Sequence, residues 1–148
     1  MSGAGRNTHG QLGQAHATRR LPSEIPSGGR GSPWRNQNTT AISAGYGHSL
    51  FLKAAGTVFA AGLNANSQLG DAVRFRYLPV QVTGAGSDNV AVAAGGYHSL
   101  VAKLNSGLVY AFGRNDRGQL GLGPSNQTDQ RLPSLMPIAD IPAVTTSA

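Results

Sequence analysis

The segment Gly113-Arg-Asn-Asp-Arg-Gly-Gln-Leu-Gly121 has two earlier copies in the chain, Gly5-Arg-Asn-Thr-His-Gly-Gln-Leu-Gly13 and Gly62-Leu-Asn-Ala-Asn-Ser-Gln-Leu-Gly70. The copies start 57 and 51 residues apart. A second block, Ala44-Gly-Tyr-Gly-His-Ser-Leu50, recurs as Ala94-Gly-Gly-Tyr-His-Ser-Leu100. A period near 50 residues that is built from short elements is typical of propeller blades or of a β-solenoid.

Each full period contains four strand-length elements. In the third repeat we predict strands at residues 90–93, 98–103, 109–112 and about 132–136. The turn between the second and third of these strands places Gly107 where a positive φ is needed. Four strands in one period correspond to one propeller blade, so the sequence predicts an all-β fold.

The composition excludes several other classes of protein. The 148 residues include 21 glycines, and the longest stretch free of Gly and Pro has eleven residues, which argues against a helical bundle. The absence of cysteine excludes disulfides, thiol nucleophiles and cysteine-ligated zinc. No apolar run has the length of a membrane-spanning helix.

The repeats divide the chain into four parts. We expect the trailing part of a blade repeat at 1–26, an inserted loop at 27–40, and full blade repeats at 41–94 and 95–148. The chain begins midway through a blade and ends where the next repeat would start. We therefore expect either a piece of a longer propeller or a ring that another subunit completes.

The repeated residues resemble the regulator-of-chromosome-condensation repeat. That pattern runs Ala-Gly-x-x-His-Ser, then Gly-x-Val-Tyr-x-Trp-Gly-x-Asn, then Gly-Gln-Leu-Gly. Here Ala61 and Phe112 stand in place of its tryptophan, and Ser67 in place of a glycine. The resemblance implies a seven-bladed β-propeller, of which this chain would supply about three blades.

We assign eight recurring polar residues to the framework of the repeat, because each stands at the same place in its copy. They are Asn7, Asn64, Asn115, Gln11, Gln68, Gln119, His48 and His98. The asparagines are expected to bond local backbone, and the two histidines to be buried and to bond loop backbone. We predict no metal site, no cofactor and no catalytic residue, since the six acidic residues are scattered and no nucleophile or phosphate-loop motif occurs.

Candidate partner-binding residues lie where the repeats differ. The inserted loop carries the only tryptophan, Trp34, beside Arg35, and both residue types are frequent in interface hot spots. The alternative for Trp34 is packing on the flank of the propeller itself. The second candidate is Arg74-Phe75-Arg76-Tyr77, which could contact phosphates and bases or could alternate on a strand, with both arginines in solvent and both rings on the blade.

Three functions are consistent with the sequence. The first is a non-enzymatic propeller scaffold that makes protein–protein contacts, with RNA as a further partner, in a larger assembly. The second, which the resemblance implies for some family members, is guanine-nucleotide exchange on a small GTPase. The third is binding to chromatin or nucleic acid, suggested by the net charge of +6. We expect an intracellular protein, with nucleus, cytoplasm, cilium and organelle left open.

Overall fold

The computed structural model describes residues 2–13, 20–24, 34, 38–104 and 106–135. Within these ranges the chain forms ten β-strands: β1 (Ser2–Gly5), β2 (Arg20–Glu24), β3 (Thr39–Ala44), β4 (His48–Lys53), β5 (Val58–Leu63), β6 (Phe75–Gln81), β7 (Asn89–Ala94), β8 (His98–Lys103), β9 (Val109–Gly113) and β10 (Gln130–Leu135). A single 3-10 turn at Thr83–Ala85 precedes β7. The all-β prediction is confirmed for the described residues.

The strands form three antiparallel sheets that follow the repeats. Strands β3 to β6 make one four-stranded sheet in sequential order, β7 to β10 make a second, and β1 pairs with β2. We call these the second, third and first blade. The predicted strands of the third blade are confirmed to within two residues wherever the structure describes them. Met136, the last residue of the final predicted strand, lies outside the described residues.

The turns that join neighbouring strands have the glycines that the sequence predicts. Gly107 has a φ of +65°, and its counterpart Gly56 has a φ of +75°. At Gly56 an added Cβ would also lie 2.6 Å from the backbone nitrogen of Asp88, so no other residue fits without moving the chain. Both constraints, left-handed backbone and close approach, therefore act at the same turn.

The main apolar core lies between the second and third blades. Leu50, Leu52 and Val58 of the second blade are buried together with Val101 and Phe112 of the third. Strands alternate their side chains between two faces, so Phe51 points to the opposite face of the second blade, where it packs in a separate cluster. Each blade thus contributes one face to each neighbouring interface.

Replacing Phe112 with alanine tests this interface. The side chain is fully buried, so its truncation should lower the free energy of unfolding by about 3–5 kcal/mol. Urea titration of the full chain would measure the loss. The control is Leu108→Ala, an apolar truncation at a side chain that is 37% exposed, which should cost far less. Equal losses in the two variants would contradict a core at Phe112.

Candidate functional site

The loops of the blades fall on two opposite edges of the sheets. Because neighbouring strands are antiparallel, connections after the first and third strands of a blade share one edge. We call this edge the loop rim, and its residues are 6–13, 45–47, 64–74, 95–97 and 114–129. The opposite edge, the turn rim, comprises 54–57, 82–88 and 104–108, of which residue 105 is not described. Among the connections that the structure describes throughout, the longest are on the loop rim, which gives this edge the most room for a binding surface.

The asparagines of the repeated segments hold the loops of the loop rim. Each Asn Oδ1 accepts a hydrogen bond from the backbone N–H of the leucine five residues later: the distances are 2.9 Å for Asn7, 2.7 Å for Asn64 and 3.0 Å for Asn115. All three asparagines are buried. Buried amides with satisfied bonds fix the loop backbone, so these side chains position the surface without forming part of it.

The glutamines of the same segments add a second bond to each loop. The Oε1 atoms of Gln11, Gln68 and Gln119 accept from the backbone N–H two residues earlier, at 3.0, 2.9 and 2.8 Å. The turn that they close needs a left-handed residue, which is Gly10 or Gly118 in two copies and Ser67, with a φ of +64°, in the other. The three loops therefore share one backbone shape even where their sequences differ.

Serine hydroxyls join adjacent blades at these loops. Ser49 Oγ of the second blade donates to the carbonyl of Gln11 at 2.6 Å, and Ser99 Oγ of the third blade donates to the carbonyl of Gln68 at 2.7 Å. The Nε2 atom of His48 lies 2.9 Å from Ser99 Oγ. Since the one hydroxyl proton of Ser99 is given to Gln68, the histidine must be the donor, as the neutral Nε2–H tautomer.

The two repeated histidines differ from each other. The ring of His48 is fully buried, as expected, and its Nε2 atom bonds a serine side chain of the next blade. His98 is half-buried and packs over Gly95. In both cases the backbone carbonyl of the histidine accepts from a glycine N–H, that of Gly45 at 2.8 Å and that of Gly95 at 2.9 Å.

Burial, and to a lesser extent the nearby His98, lowers the pKa of His48 to about 4. The physical cause is that a charged ring would lose its hydration. In addition, no described residue accepts a hydrogen bond from a proton on His48 Nδ1. Burial also lowers the pKa of His98. Both side chains are thus held neutral at pH 7, which suits a structural bond between blades.

The Arg74–Tyr77 segment is divided between two sides of β6. Arg74 is exposed, and Arg76 pairs with Asp71 through a 2.6 Å contact. The rings of Phe75 and Tyr77 meet edge-on at 5.2 Å, as expected for alternate residues of a strand. However, Phe75 stays 39% exposed, so only Tyr77 is drawn toward the blade.

Trp34 lies against the blade rather than at the surface. Its ring is fully buried, at 5.2 Å from the ring of Phe51 and 5.3 Å from that of Phe59. Lys53 Nζ lies 4.1 Å from the ring centroid, a cation–π distance. Ala61, which has only a methyl group where the third blade has Phe112, completes the cluster. The alternative of packing on the propeller's own flank therefore describes Trp34, while Arg35 lies outside the described residues.

The sequence analysis did not find the aromatic pair of Tyr46 and Tyr97. Their rings lie 5.5 Å apart on the loop rim, with the guanidinium carbon of Arg114 at 5.7 Å from the Tyr97 ring. Tyr46 is 67% exposed. Each tyrosine precedes the repeated histidine, but at different offsets, so the alignment of the two copies did not pair them. The signal available in the sequence is one tyrosine in each copy of this block, a residue type that is frequent in binding surfaces.

The part of the chain that the structure describes has neither a grouped set of metal ligands nor a membrane-spanning helix. There, no three or more histidine or acidic side chains are grouped so as to hold a metal ion. Among the same residues, no helix has the length and apolar character needed to cross a membrane. A shallow depression of about 320 Å³ lies within the 64–74 loop, bordered by Ser67, Asp71 and Arg74. Among the described residues, the features of the loop rim that could bind a partner are therefore its exposed aromatic rings and its charged side chains.

Acid should weaken the His48 contact. The unfolded chain takes up a proton near pH 6.5, whereas folded His48 stays neutral down to about pH 4. The free energy of unfolding should therefore be flat above pH 7 and fall by about 3 kcal/mol as the pH drops through this window. Urea titrations at several pH values would measure the slope. His48→Gln keeps a donor for Ser99 and removes the proton site, so a slope unchanged in this variant would contradict the assignment.

Truncating Trp34 tests its structural role. Trp34→Ala should lower the free energy of unfolding by about 3–5 kcal/mol, because it empties a fully buried aromatic site. Trp34→Phe should retain much of the contact with Phe51 and Phe59. Chemical denaturation followed by circular dichroism would compare both with Tyr46→Ala, a ring removed from an exposed site. A cost for Trp34→Ala no larger than for Tyr46→Ala would contradict the packing.

Comparison with known proteins identifies the repeat. The profile of the regulator of chromosome condensation (RCC1) repeat matches residues 55–102 and 106–145, which together are more than half of the chain. A second profile of the same repeat matches residues 40–68 and 90–119. Both copies of the Ala-Gly-x-x-His-Ser block lie inside matched ranges.

Several characterised proteins contain similar stretches. The human probable E3 ubiquitin-protein ligase HERC4 is 40% identical over 98 residues, 64% of this chain and 9% of that protein. The bovine secretion-regulating guanine nucleotide exchange factor is 35% identical over 88 residues, 58% of this chain and 19% of that protein. The chain thus spans no more than about a fifth of either relative.

The solved structures agree with the sheet topology. The structure of Prp20p from Saccharomyces cerevisiae, described with its binding to Gsp1p and histones, superposes with a TM-score of 0.77 over 91% of this chain and 33% of that one. At 22% identity this likeness concerns the fold. From the repeated segments, the four-stranded blades and the matched profiles, we conclude that this chain belongs to the regulator of chromosome condensation (RCC1) repeat family of β-propeller proteins.

Proposed function

We propose that this chain is a non-enzymatic scaffold that binds a protein partner through its loop rim. The observation that carries the proposal is the exposure of large apolar side chains on the loop rim and at the strand start that adjoins it: Tyr46 is 67% exposed, Val73 43%, and Phe75, the first residue of β6, 39%. Exposed apolar groups that lie together are typical of interaction surfaces. Ile42 and Leu108, the other large apolar side chains exposed among the described residues, lie away from the loop rim, in the middle of β3 and on the turn rim.

The rigidity of the loops supports this function. Asn64 Nδ2 donates to the carbonyls of Asp71 and Val73 at 2.6 and 2.7 Å, and its backbone N–H donates to the carbonyl of Arg74 at 2.7 Å. The long loop before β6 is thereby tied to a buried amide. A surface held in one shape loses little conformational entropy on binding, which favours its use as a docking site.

Site-specific cross-linking tests the scaffold function. A photo-reactive amino acid would replace Phe75 or Tyr46 in the full-length protein within its native cells. We expect covalent adducts to a discrete protein from both positions. The matched control is the same amino acid at Leu108, an apolar residue of similar exposure on the turn rim, which should give none of these adducts. The absence of adducts at Phe75 and Tyr46, or the same adducts at all three positions, would overturn the proposal.

Guanine-nucleotide exchange is a second candidate, favoured by the 35% identity to the bovine secretion-regulating guanine nucleotide exchange factor. Within this proposal the loop rim would contact a small GTPase and speed release of its nucleotide. A panel of GTPases loaded with fluorescent nucleotide would test it. Acceleration that Phe75→Ser removes and Leu108→Ala leaves intact would support exchange, whereas no acceleration with any GTPase would reject it.

A further inference from the structure

An apolar band crosses the second blade on the loop rim. It begins at the Tyr46–Tyr97 ring pair and continues to Leu63, because an added Cβ on Gly47 would lie only 3.2 Å from the Leu63 Cβ atom. Leu63 is paired with Phe75 across β5 and β6. We call this series the aromatic band, and its members are Tyr46, Tyr97, Leu63 and Phe75. It runs from the loop that follows β3, the first strand of the blade, to β6, the last strand of the blade.

The carboxylates near the aromatic band are already engaged within the chain. Asp71 pairs with Arg76, and Asp116 holds Arg114 through two contacts of 2.8 and 2.6 Å. Asp129 accepts from the backbone N–H of Asn115 at 2.9 Å and from the side chain of Asn66, also at 2.9 Å. These three acidic side chains therefore serve to order the rim.

Three arginines of the loop rim form no ion pair with a described residue. Arg74 stands beside Val73 and Phe75 at the outer end of the band and is exposed. Arg6 contacts only the hydroxyl of Thr8 through its Nε, and Arg117 is exposed next to the Arg114–Asp116 pair. By contrast, Lys103, the last residue of β8, pairs with Asp88 of the turn rim at 2.8 Å. Among the described residues, these three exposed arginines without an ion pair thus share the loop rim with the aromatic band, and Arg74 directly adjoins it in the sequence.

We propose that the aromatic band and its arginines bind an acidic protein segment that carries aromatic or large aliphatic side chains. This inference rests on the proposed scaffold function and specifies its partner. The apolar side chains of the segment would pack on Tyr46, Leu63 and Phe75, while its carboxylates would face the free guanidiniums. Arg74 is best placed for a bidentate carboxylate contact, because it adjoins the band and the nearby Asp71 is already paired with Arg76.

The geometry favours such a segment over a nucleic acid. Asp71, Asp116 and Asp129 stay on the same rim, and they would repel a closely spaced row of phosphates more than a peptide with separated carboxylates. The rings are also poorly arranged for stacking of bases, since Tyr46 and Tyr97 are tilted by 48° and Phe75 and Tyr77 by 63°. Mixed charge around exposed rings is the composition of a protein interface.

Binding of defined probes to the full-length protein tests the proposal. One probe is a fluorescein-labelled degenerate peptide library in which Glu or Asp alternates with Phe, Tyr or Leu. The second has Gln and Asn in place of the acids, and the third is a single-stranded oligonucleotide of similar length. By fluorescence anisotropy we expect the acidic library to bind roughly tenfold more tightly than the amide library, and less tightly as salt is raised.

Two variants connect binding to the surface. Arg74→Gln removes an exposed charge that forms no ion pair with a described residue, and Phe75→Ser removes the outer ring of the band. Each should weaken the acidic library roughly tenfold, whereas Leu108→Ala should leave its affinity unchanged. Circular dichroism would show that each variant keeps its fold.

The remaining outcomes separate this inference from the scaffold function. Equal affinity for the acidic and amide libraries, or no peptide binding while Phe75 still cross-links to a protein, would overturn the acidic partner and keep the scaffold. Tighter binding of the oligonucleotide, lost in Arg74→Gln, would overturn it in favour of nucleic acid. Failure of cross-linking together with failure of all probes would overturn both.

Discussion

The hydrogen bond from Ser99 to the carbonyl of Gln68 is the joint on which the arrangement of blades depends. It is 2.7 Å long, it is fully buried, and its donor and acceptor belong to adjacent blades. His48 donates to the same hydroxyl, so two hydrogen bonds satisfy three polar groups at a buried position. Because Ser49 and Gln11 repeat this contact at 2.6 Å, the first and second blades are joined by the same bond.

This joint also determines where the loops of the rim lie. Gln68 presents its carbonyl to the next blade and uses its side chain to close its own loop, while the neighbouring Asn64 fixes the far side of that loop. Apolar packing then fills the space between the sheets, with Phe112 against Leu50 and Leu52. The polar contacts specify register and the apolar contacts supply most of the stabilisation, a division expected when hydrogen bonds contribute about 1 kcal/mol and a buried aromatic ring several.

Residue types differ between the blades at positions outside these polar contacts, as the loop rim shows. The equivalent positions Leu63 and Arg114 support one apolar and one cationic surface on the same backbone, because the Asn bond beside them is unchanged. The second blade has Ala61 where the third has Phe112, and the inserted segment supplies Trp34 to the same cluster. A side chain from a connecting segment can therefore replace a core side chain that the blade's own strand lacks, and the sheet is retained.

The amino-acid sequence by itself determined the all-β class, the strands and the four-stranded repeat, because these depend on local turn chemistry and on a period that recurs. The tertiary structure alone decided three other matters. Trp34 is a core residue because the small side chain of Ala61 leaves space for its ring on one face of the second blade. His48 forms its hydrogen bond with Ser99, which lies 51 residues later in the sequence and in the next blade. The rings of Tyr46 and Tyr97, which belong to two different loops, are in contact. In each case the partner lies far along the chain, so local pattern has no information about the contact.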